Sequence, residues 1–270
     1  MNKIFHSIAD EAQFTREILG SGITQLGKAN YGKRGMYFLA FTAISTGLER
    51  IGKLCLTLDF YIQNDGRFPD NQYLKNQIGH DLVKLYKKSQ EIVSTYNFEF
   101  DYQDKIEDPI QLDILDILSK FAKGDRYANF DFLAGNSHQS DPIKSWSEKV
   151  DTQLFDKRVS QKKKDNIAYN AQLIDQLMGQ FTIVRHYIEN REDIRDVESA
   201  SYRTGVYEAT SKYRQLYVLQ IVRYWVELSK CLQWKAMKLG REDIPFINEI
   251  FAIFYNSDSY FITRKTYDKN

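Results

Sequence analysis

One stretch of the chain carries apolar side chains over most of a helix's circumference. Its apolar residues recur at alternating steps of four and three, which places them on one side of an α-helix. They are Tyr37, Phe41, Ile44, Leu48, Ile51, Cys55, Leu58 and Ile62. Five further apolar residues widen this stripe: Phe38, Leu39, Ala40, Leu54 and Leu56. A helix this apolar is typical of the centre of a fold, so the pattern predicts a central helix over residues 36–63.

Helical periodicity also covers most of the remaining chain. The other predicted helices are residues 3–26, a helix that opens near Asp70 or Asn71 and buries Leu74, Ile78, Leu82 and Leu85, residues 109–121, a helix that opens at Pro142, and residues 166–190, 197–239 and 244–254. Residues 123–136 are expected to form a loop and residues 161–165 a polar turn. Several helices joined by short connections predict an all-α, up-and-down helical bundle.

The chain has the length of one large domain or two small ones. Its 270 residues contain no flexible linker rich in Gly, Ser or Pro, which favours a single domain over residues 1–270. The alternative is two packed helical lobes, one over about residues 35–135 and a C-terminal one over about residues 141–255.

Composition narrows the possible partners and cofactors. The net charge is +1, so nucleic-acid binding would need a local basic patch. The cysteines, Cys55 and Cys231, both fall in apolar helical patterns, which argues against a disulfide and favours a cytoplasmic setting. We expect no metal site and no cofactor, since no paired Cys/His spacing occurs. No continuous apolar run reaches the ~18 to 20 residues of a membrane span, so no membrane association is expected.

A short polar patch interrupts the central helix at Glu49, Arg50 and Lys53. Glu49 and Lys53 are four residues apart, so an ion pair on the helix surface explains both, and such a pair contributes only ~0.3 to 0.5 kcal/mol. The alternative is that Glu49 or Arg50 faces a partner helix or a ligand. Gly47 and Gly52 favour close approach of another helix on this side.

His80 and Asp81 form the one adjacent pair of a histidine and an acid. Neighbouring residues on a helix point about 100° apart, so these two do not form a catalytic pair with each other. His80 could instead hydrogen-bond a carboxylate such as Glu49 across two helices, which is a structural role. The alternative is a role in acid–base chemistry.

Two short motifs in this part of the chain resemble those of a known superfamily. They are Leu48-Glu49-Arg50-Ile51-x-Lys53 and Gly79-His80-Asp81-Leu82-x-x-Leu85. Together they resemble the HEPN (higher eukaryotes and prokaryotes nucleotide-binding) superfamily over roughly residues 35–135. The resemblance implies an up-and-down helical bundle, often dimeric, in prokaryotic defence or toxin–antitoxin systems. It also implies binding of nucleic acid, a nucleotide or a partner protein.

The catalytic branch of that superfamily cleaves RNA without metal through an Arg-x(4–6)-His motif on a late helix. No histidine of this chain has an arginine at that spacing; the four are His6, His80, His138 and His186. The resemblance therefore implies a bundle without that ribonuclease motif.

The segment around Arg126 combines charge with aromatic side chains. Arginine can form a forked contact with phosphate, and aromatic rings can stack on bases. The candidate ligand-binding residues here are Arg126, Tyr127, Asn129 and Asp131, with Phe130 as a further stacking residue. The alternative is that Arg126 pairs with Asp125 or Asp131 while the aromatic rings plug the end of the bundle.

Three functional hypotheses follow. The first is a binding module that recognises RNA, a nucleotide or a partner protein through one site containing Glu49, Arg50, His80, Asp81 and the Arg126 segment. The second is an enzyme that processes RNA or nucleotides, with His80 as acid or base and Arg126 steadying phosphate charge. The third is a structural subunit of a homo-oligomer, such as a homodimer, with exposed aromatic residues on the long C-terminal helix.

Overall fold

The computed structural model describes residues 2–70, 72–73, 79–136 and 140–268. The protein is all-α, as its periodicity predicts. Its helices are α1 (Lys3–Leu26), α2 (Arg34–Gln63), α3 (Leu82–Tyr96), α4 (Pro109–Lys123), α5 (Ala128–Leu133), α6 (Pro142–Trp146), α7 (Thr152–Arg158), α8 (Gln161–Met178), α9 (Val197–Met237), α10 (Ile247–Ile250) and α11 (Asp258–Thr263). Two short strands, β1 (His186–Tyr187) and β2 (Asp193–Ile194), pair antiparallel.

Helix α2 occupies the centre of the fold, as its apolar pattern predicts. It contacts α1, α3, α4 and α9. Seven of the eight residues of its predicted stripe are buried, and Ile62 is half-buried against the core. Two of the residues predicted to widen the stripe are instead exposed, namely Phe38 at 44% and Leu39 at 56%. They lie in the first turns of α2, where the helix borders an open cleft rather than a neighbouring helix.

Glycines let the helices around α2 approach closely. A methyl group at Gly47 would meet the side chain of Leu19 in α1, and one at Gly52 would meet Leu85 in α3. These contacts confirm the expectation that both glycines favour close helix–helix approach. Gly205 faces Ile167 of α8 within the continuous helix α9.

Aspartate caps begin four of the described helices, namely α3, α4, α6 and α9, the last through Asp196. Asp108 and Asp141 accept hydrogen bonds from backbone N–H groups at the starts of α4 and α6, as the Asp-Pro signals predict. Asp81 caps α3, so His80 lies in the preceding turn rather than on a helix face. Asp70 accepts the N–H of Tyr73. Asn71, Leu74 and Ile78 of the helix predicted there lie outside the described residues.

Several sequence-based predictions of local structure are wrong. Residues 79–81 are not helical, so Leu82 and Leu85 belong to a helix that begins only at Leu82, and the helix predicted over 244–254 is reduced to α10 and a 3₁₀ turn. Residues 123–136 contain a 3₁₀ turn and α5 rather than only a loop. The predicted polar turn at residues 161–165 is the start of α8, because the Ser160 side chain caps the helix by accepting the N–H of Lys163. The helix predicted over 166–190 ends at Met178 and is followed by the β1–β2 hairpin.

One main hydrophobic core runs from Ile8 to Tyr267 and includes residues of both predicted lobes. The segment from α8 through the β hairpin to the start of α9 lies outside it, on two small clusters of its own. One cluster holds Val184, Ile188, Ile194 and Val197, and the other holds Val159, Ile167 and Ala209. No described helix is both long and apolar enough to cross a bilayer.

Candidate functional site

The hydrogen bond predicted between His80 and Glu49 is present. His80 Nδ1 lies 2.8 Å from Glu49 Oε2, and the imidazole is largely exposed. The Lys53 ammonium donates to the other oxygen of the same carboxylate at 2.5 Å. Both oxygens of the Glu49 carboxylate are thus engaged, one by His80 and one by Lys53. The predicted ion pair between Glu49 and Lys53 is therefore present, and the carboxylate has little freedom to bind a further ligand.

Arg50 faces a partner helix, one of its predicted alternatives. Its guanidinium donates to Glu11 of α1 at 2.7 Å, and its Nε is buried without a hydrogen-bond partner in the described part of the chain. A groove of about 840 Å³ lies over this patch between α1 and α2. Four of the charged groups along it form the pairs Arg50–Glu11 and Lys53–Glu49, which leaves Lys3 as its one lining charge without an ion pair among the described residues.

Asp81 acts in the fold rather than in an open site. It accepts the Lys84 N–H at 2.9 Å as a helix cap, and it forms an ion pair with Lys123 of α4 at 2.5 Å. Partial burial acts to raise the pKa of the Asp81 carboxyl. The hydrogen bonds from Lys123 and Lys84 outweigh that effect and hold the pKa below its ordinary value.

A second site forms where α2, α5 and the β hairpin meet, and we call it the arginine cleft. It consists of two adjoining cavities of about 310 and 380 Å³ that share Arg34, Asn129 and Arg191 as lining residues. Arg126 lines the first cavity and Tyr187 lines the second. Three guanidinium groups from distant parts of the sequence are therefore brought to one cleft.

The cleft's arginines are held in place by named contacts. Arg191 donates from Nε to Asp141 Oδ2 at 2.9 Å and from Nη2 to Asn129 Oδ1 at 3.3 Å. Arg34 donates to the Ile188 carbonyl at 3.0 Å and stacks over the Tyr187 ring. Arg191 sits at φ +71° in the hairpin turn, a conformation uncommon for residues other than glycine. These contacts fix the guanidinium groups before any ligand arrives.

Arg191 and Arg34 both form ion pairs with Asp141, at 2.9 and 3.8 Å, whereas no carboxylate among the described residues pairs with Arg126. Its guanidinium lies over the Tyr127 ring, 5.3 Å from the centroid. The Asp125 carboxylate accepts the Ser140 hydroxyl instead, and Asp131 is half-buried in α5. The predicted alternative, in which Arg126 pairs with Asp125 or Asp131, is therefore wrong for the described part of the chain.

The aromatic residues of α5 point into solvent rather than plugging the end of the bundle. Phe130 is 73% exposed and Phe132 is 78% exposed, while Tyr127 and Leu133 beside them are exposed as well. This finding contradicts the structural alternative for the segment. Large exposed rings next to an unpaired guanidinium are available to stack against a ligand.

The predicted site residues divide between two places instead of converging on one. Glu49 lies eight to fifteen residues along α2 from Phe41 and Arg34 of the arginine cleft. At 1.5 Å per residue, that spacing separates the backbones by roughly 12 to 22 Å. Glu49, Arg50, His80 and Asp81 thus form one polar patch, and Arg126 and Asn129 belong to the cleft. A single catalytic site containing both His80 and Arg126 is not assembled by these contacts.

Sequence reasoning missed Arg34, Asp141 and Arg191 as functional candidates. Arg34 was visible only as part of a basic connector, and Asp141 only as a helix cap. Arg191 lies in the turn of a hairpin that the sequence pattern assigned to the end of a helix. A better signal was the Asn190-Arg191 pair, because asparagine and a following polar residue are common in tight turns.

A separate buried polar cluster joins α2 to α9. Arg214 donates to both oxygens of Asp151 at 2.6 Å, and Trp146 Nε1 donates to the same carboxylate at 3.0 Å. The Tyr37 hydroxyl donates to Glu189 at 3.1 Å and to Asp151 at 3.4 Å. Burial raises the pKa of the Tyr37 phenol, so it remains protonated and serves as a donor.

No metal-binding cluster of histidine, cysteine and carboxylate side chains occurs within residues 2–70, 72–73, 79–136 and 140–268. Comparison with protein-family models, with curated proteins and with solved structures finds no match for this chain.

Proposed function

We propose that this protein binds single-stranded nucleic acid through the arginine cleft, with phosphates held by the guanidinium groups and bases stacked on α5. The observation that carries the proposal is the convergence of Arg34, Arg126 and Arg191 on one open cleft. Guanidinium groups form forked, charge-assisted hydrogen bonds with phosphate oxygens. Held in a fixed arrangement, they favour a ligand that carries phosphates at regular spacing.

The way the cleft's charges are paired supports this proposal, although its three arginines are matched in number by Asp125, Asp141 and Asp193. Of the carboxylates that line the first cavity, Asp125 is engaged by Ser140 and Asp141 by Arg191 and by the N–H groups of α6. Arg126 has no such partner among the described residues. An incoming phosphate would therefore gain a charge-assisted contact without first displacing a carboxylate.

The exposed rings of α5 distinguish a nucleic-acid strand from a simple anion. A site for inorganic phosphate or a small carboxylate has no use for Phe130 and Phe132, which stand largely in solvent. Stacking of a base on an aromatic ring contributes about 1–3 kcal/mol and tolerates any sequence. Guanidinium groups in a cleft and exposed rings on helix α5 are a combination used by proteins that bind single strands, and it agrees with the binding branch that the HEPN resemblance implies.

We do not propose RNA cleavage by His80 and Arg126. A catalytic pair would need both side chains at one scissile phosphate, and His80 hydrogen-bonds Glu49 in a different part of the surface. Binding a strand without cleaving it does not require His80 and Arg126 to lie at the same phosphate.

Fluorescence anisotropy with a labelled single-stranded RNA oligonucleotide tests the proposal. We expect Arg126→Ala to weaken binding about tenfold, since a hydrogen bond to a charged group contributes about 1.5–3 kcal/mol. The matched control is Arg67→Ala. Arg67 is also exposed but lies beyond the other end of α2, roughly 45 Å along the helix from the cleft.

Two further arms separate the possible ligands. Phe132→Ala is expected to weaken binding of the oligonucleotide while leaving any binding of inorganic phosphate unchanged. A mononucleotide that binds as tightly as the oligonucleotide would point to a nucleotide site instead of a strand-binding groove. Equal affinity of the wild type, Arg126→Ala and Arg67→Ala would refute the role of the cleft.

A further inference from the structure

Helix α8 has two faces, and only one of them is covered. Ile167 and Ala171 are buried on the side that packs against α9. Six other apolar residues, in α8 and the 3₁₀ turn that follows it, are 42% to 75% exposed: Tyr169, Leu173, Ile174, Leu177, Met178 and Phe181. Ile183, just after them, is 85% exposed. We call the exposed residues between Asn166 and Ile183 the α8 face.

We infer that two copies of this chain associate through the α8 face. Tyr169, Leu173, Leu177 and Phe181 are spaced by four residues, so they form a continuous row along the helix. Such a row can pack against the same row of a second copy related by a two-fold axis, with each residue meeting its counterpart from the other end.

The apolar surface is at the upper limit for a single patch on a monomer and supplies most of the area that a dimer interface needs. With fully exposed side chains taken at about 100 to 200 Å², these seven residues present roughly 600 Å² of apolar surface. The largest apolar patch on a typical monomer is about 300–600 Å². A standard interface buries about 800 Å² per partner. The polar residues at the edges of the α8 face supply the remainder.

The lack of charge among the exposed residues of the α8 face indicates the kind of partner that this face fits. Every exposed residue from Asn166 to Ile183 is uncharged, although 27% of the whole chain is charged. The polar members of the face are Asn, Gln and Thr. Interface centres are depleted of charged residues, and the one charged residue within this stretch, Asp175, is half-buried. Amide side chains both donate and accept hydrogen bonds, so identical copies can satisfy each other.

This inference is independent of the proposed nucleic-acid binding, because none of the residues described as lining the arginine cleft belongs to the α8 face. Failure to bind RNA would not contradict the proposed dimer, and a monomeric protein would not contradict the proposed nucleic-acid binding.

Sedimentation velocity on the full chain, from about 1 to 100 µM, measures the association directly, since interfaces of this area have micromolar or tighter affinity. The wild type is expected to sediment as a dimer over most of that range. Leu173→Glu is expected to raise the dissociation constant at least about 100-fold, because symmetry places an unpaired charge twice in the buried interface. The matched control is Leu112→Glu on α4, since Leu112 is 43% exposed and Leu173 is 42% exposed.

Circular dichroism on each variant checks that the helical fold is kept. If Leu173→Glu fails to fold, Gln176→Glu on the same helix replaces it, because an exposed polar position tolerates the charge within the monomer. A wild type that is monomeric up to about 100 µM would overturn the inference, as would a dimer that Leu112→Glu weakens as much as the α8 variants.

Discussion

At the scale of single residues, the buried ion pair between Asp151 and Arg214 makes a large contribution to the stability of the fold. Asp151 ends a π-helical segment, Ser147–Asp151, between α6 and α7. The bonding pattern of that segment turns the carboxylate inward, where it meets Arg214 and Trp146. Both charged side chains are buried. A buried pair of this kind survives only when its geometry is good and its remaining hydrogen-bonding groups are satisfied, as they are here.

Removing one member of this pair is expected to cost far more than removing an exposed one. Asp151→Ala leaves the Arg214 charge buried without its partner, so the free energy of unfolding should fall by about 3–5 kcal/mol. Urea denaturation followed by circular dichroism measures the loss. The control is Asp116→Ala, which removes an exposed i, i+4 ion pair with Lys120 and should cost about 0.5 kcal/mol or less. Equal losses in the two variants would contradict this assignment.

Some contacts between single residues could not be predicted from the sequence. Asp151 and Arg214 are 63 positions apart, and Arg191 and Asn129 are 62 apart, so no local pattern connects them. The sequence could nominate Arg126 and Asn129 because charge and aromatic residues are adjacent there. It could not nominate Arg34 or Arg191, since only the folded chain brings them to the same cleft.

At the scale of elements, α3 depends on the cap that Asp81 provides. In the folded protein, the hydrogen bonds from Lys123 and Lys84 hold the pKa of the Asp81 carboxyl below its ordinary value of 3.8. The stabilisation is therefore fully present above that value and is lost as pH falls through the lower, folded pKa. The ionised carboxylate is the form that both partners favour.

Asp81→Ala should lower the free energy of unfolding by about 1 kcal/mol at neutral pH, the usual cost of losing a helix cap. The deficit relative to wild type should shrink as the solution is acidified below about pH 4, because the wild-type carboxylate then loses its charge. Asp81→Asn is the control that keeps a capping oxygen without the titration. A deficit in Asp81→Ala that stays constant from neutral to acid pH would show that the ionised form contributes nothing.

The elements predicted best are those with long, regular apolar patterns. The predicted bounds of α1 agree with the structure, α2 differs by two residues at its start, and α9 is continuous through Gly205. Prediction failed where apolar periodicity, which favours a helix, overlaps with β-branched residues, which favour extended structure. The apolar residues of α8 continue beyond Met178 into Phe181, Ile183 and Val184, so periodicity alone extended the helix into a hairpin. The β-branched residues at 182–184 favour extended structure, and that preference prevailed.

At the scale of the whole molecule, one all-α core supports two surfaces of opposite character. The arginine cleft brings three guanidinium groups and three aspartates together in a protein whose net charge is +1. The α8 face concentrates apolar surface on the segment outside the main core. The predicted oligomeric interface was assigned to the long C-terminal helix, but the middle of α9 is buried and Trp234 is its one exposed large apolar side chain among the described residues.

The most direct test of the proposed nucleic-acid binding is the salt dependence of RNA affinity. For single strands, the slope of log K against log salt concentration changes by about 0.7 for each phosphate contact. The wild type should show a clear negative slope, Arg126→Ala should be shallower by about 0.7, and Arg67→Ala should match the wild type. An affinity that does not vary with salt, or the same slope in Arg126→Ala as in wild type, would contradict phosphate binding at the cleft.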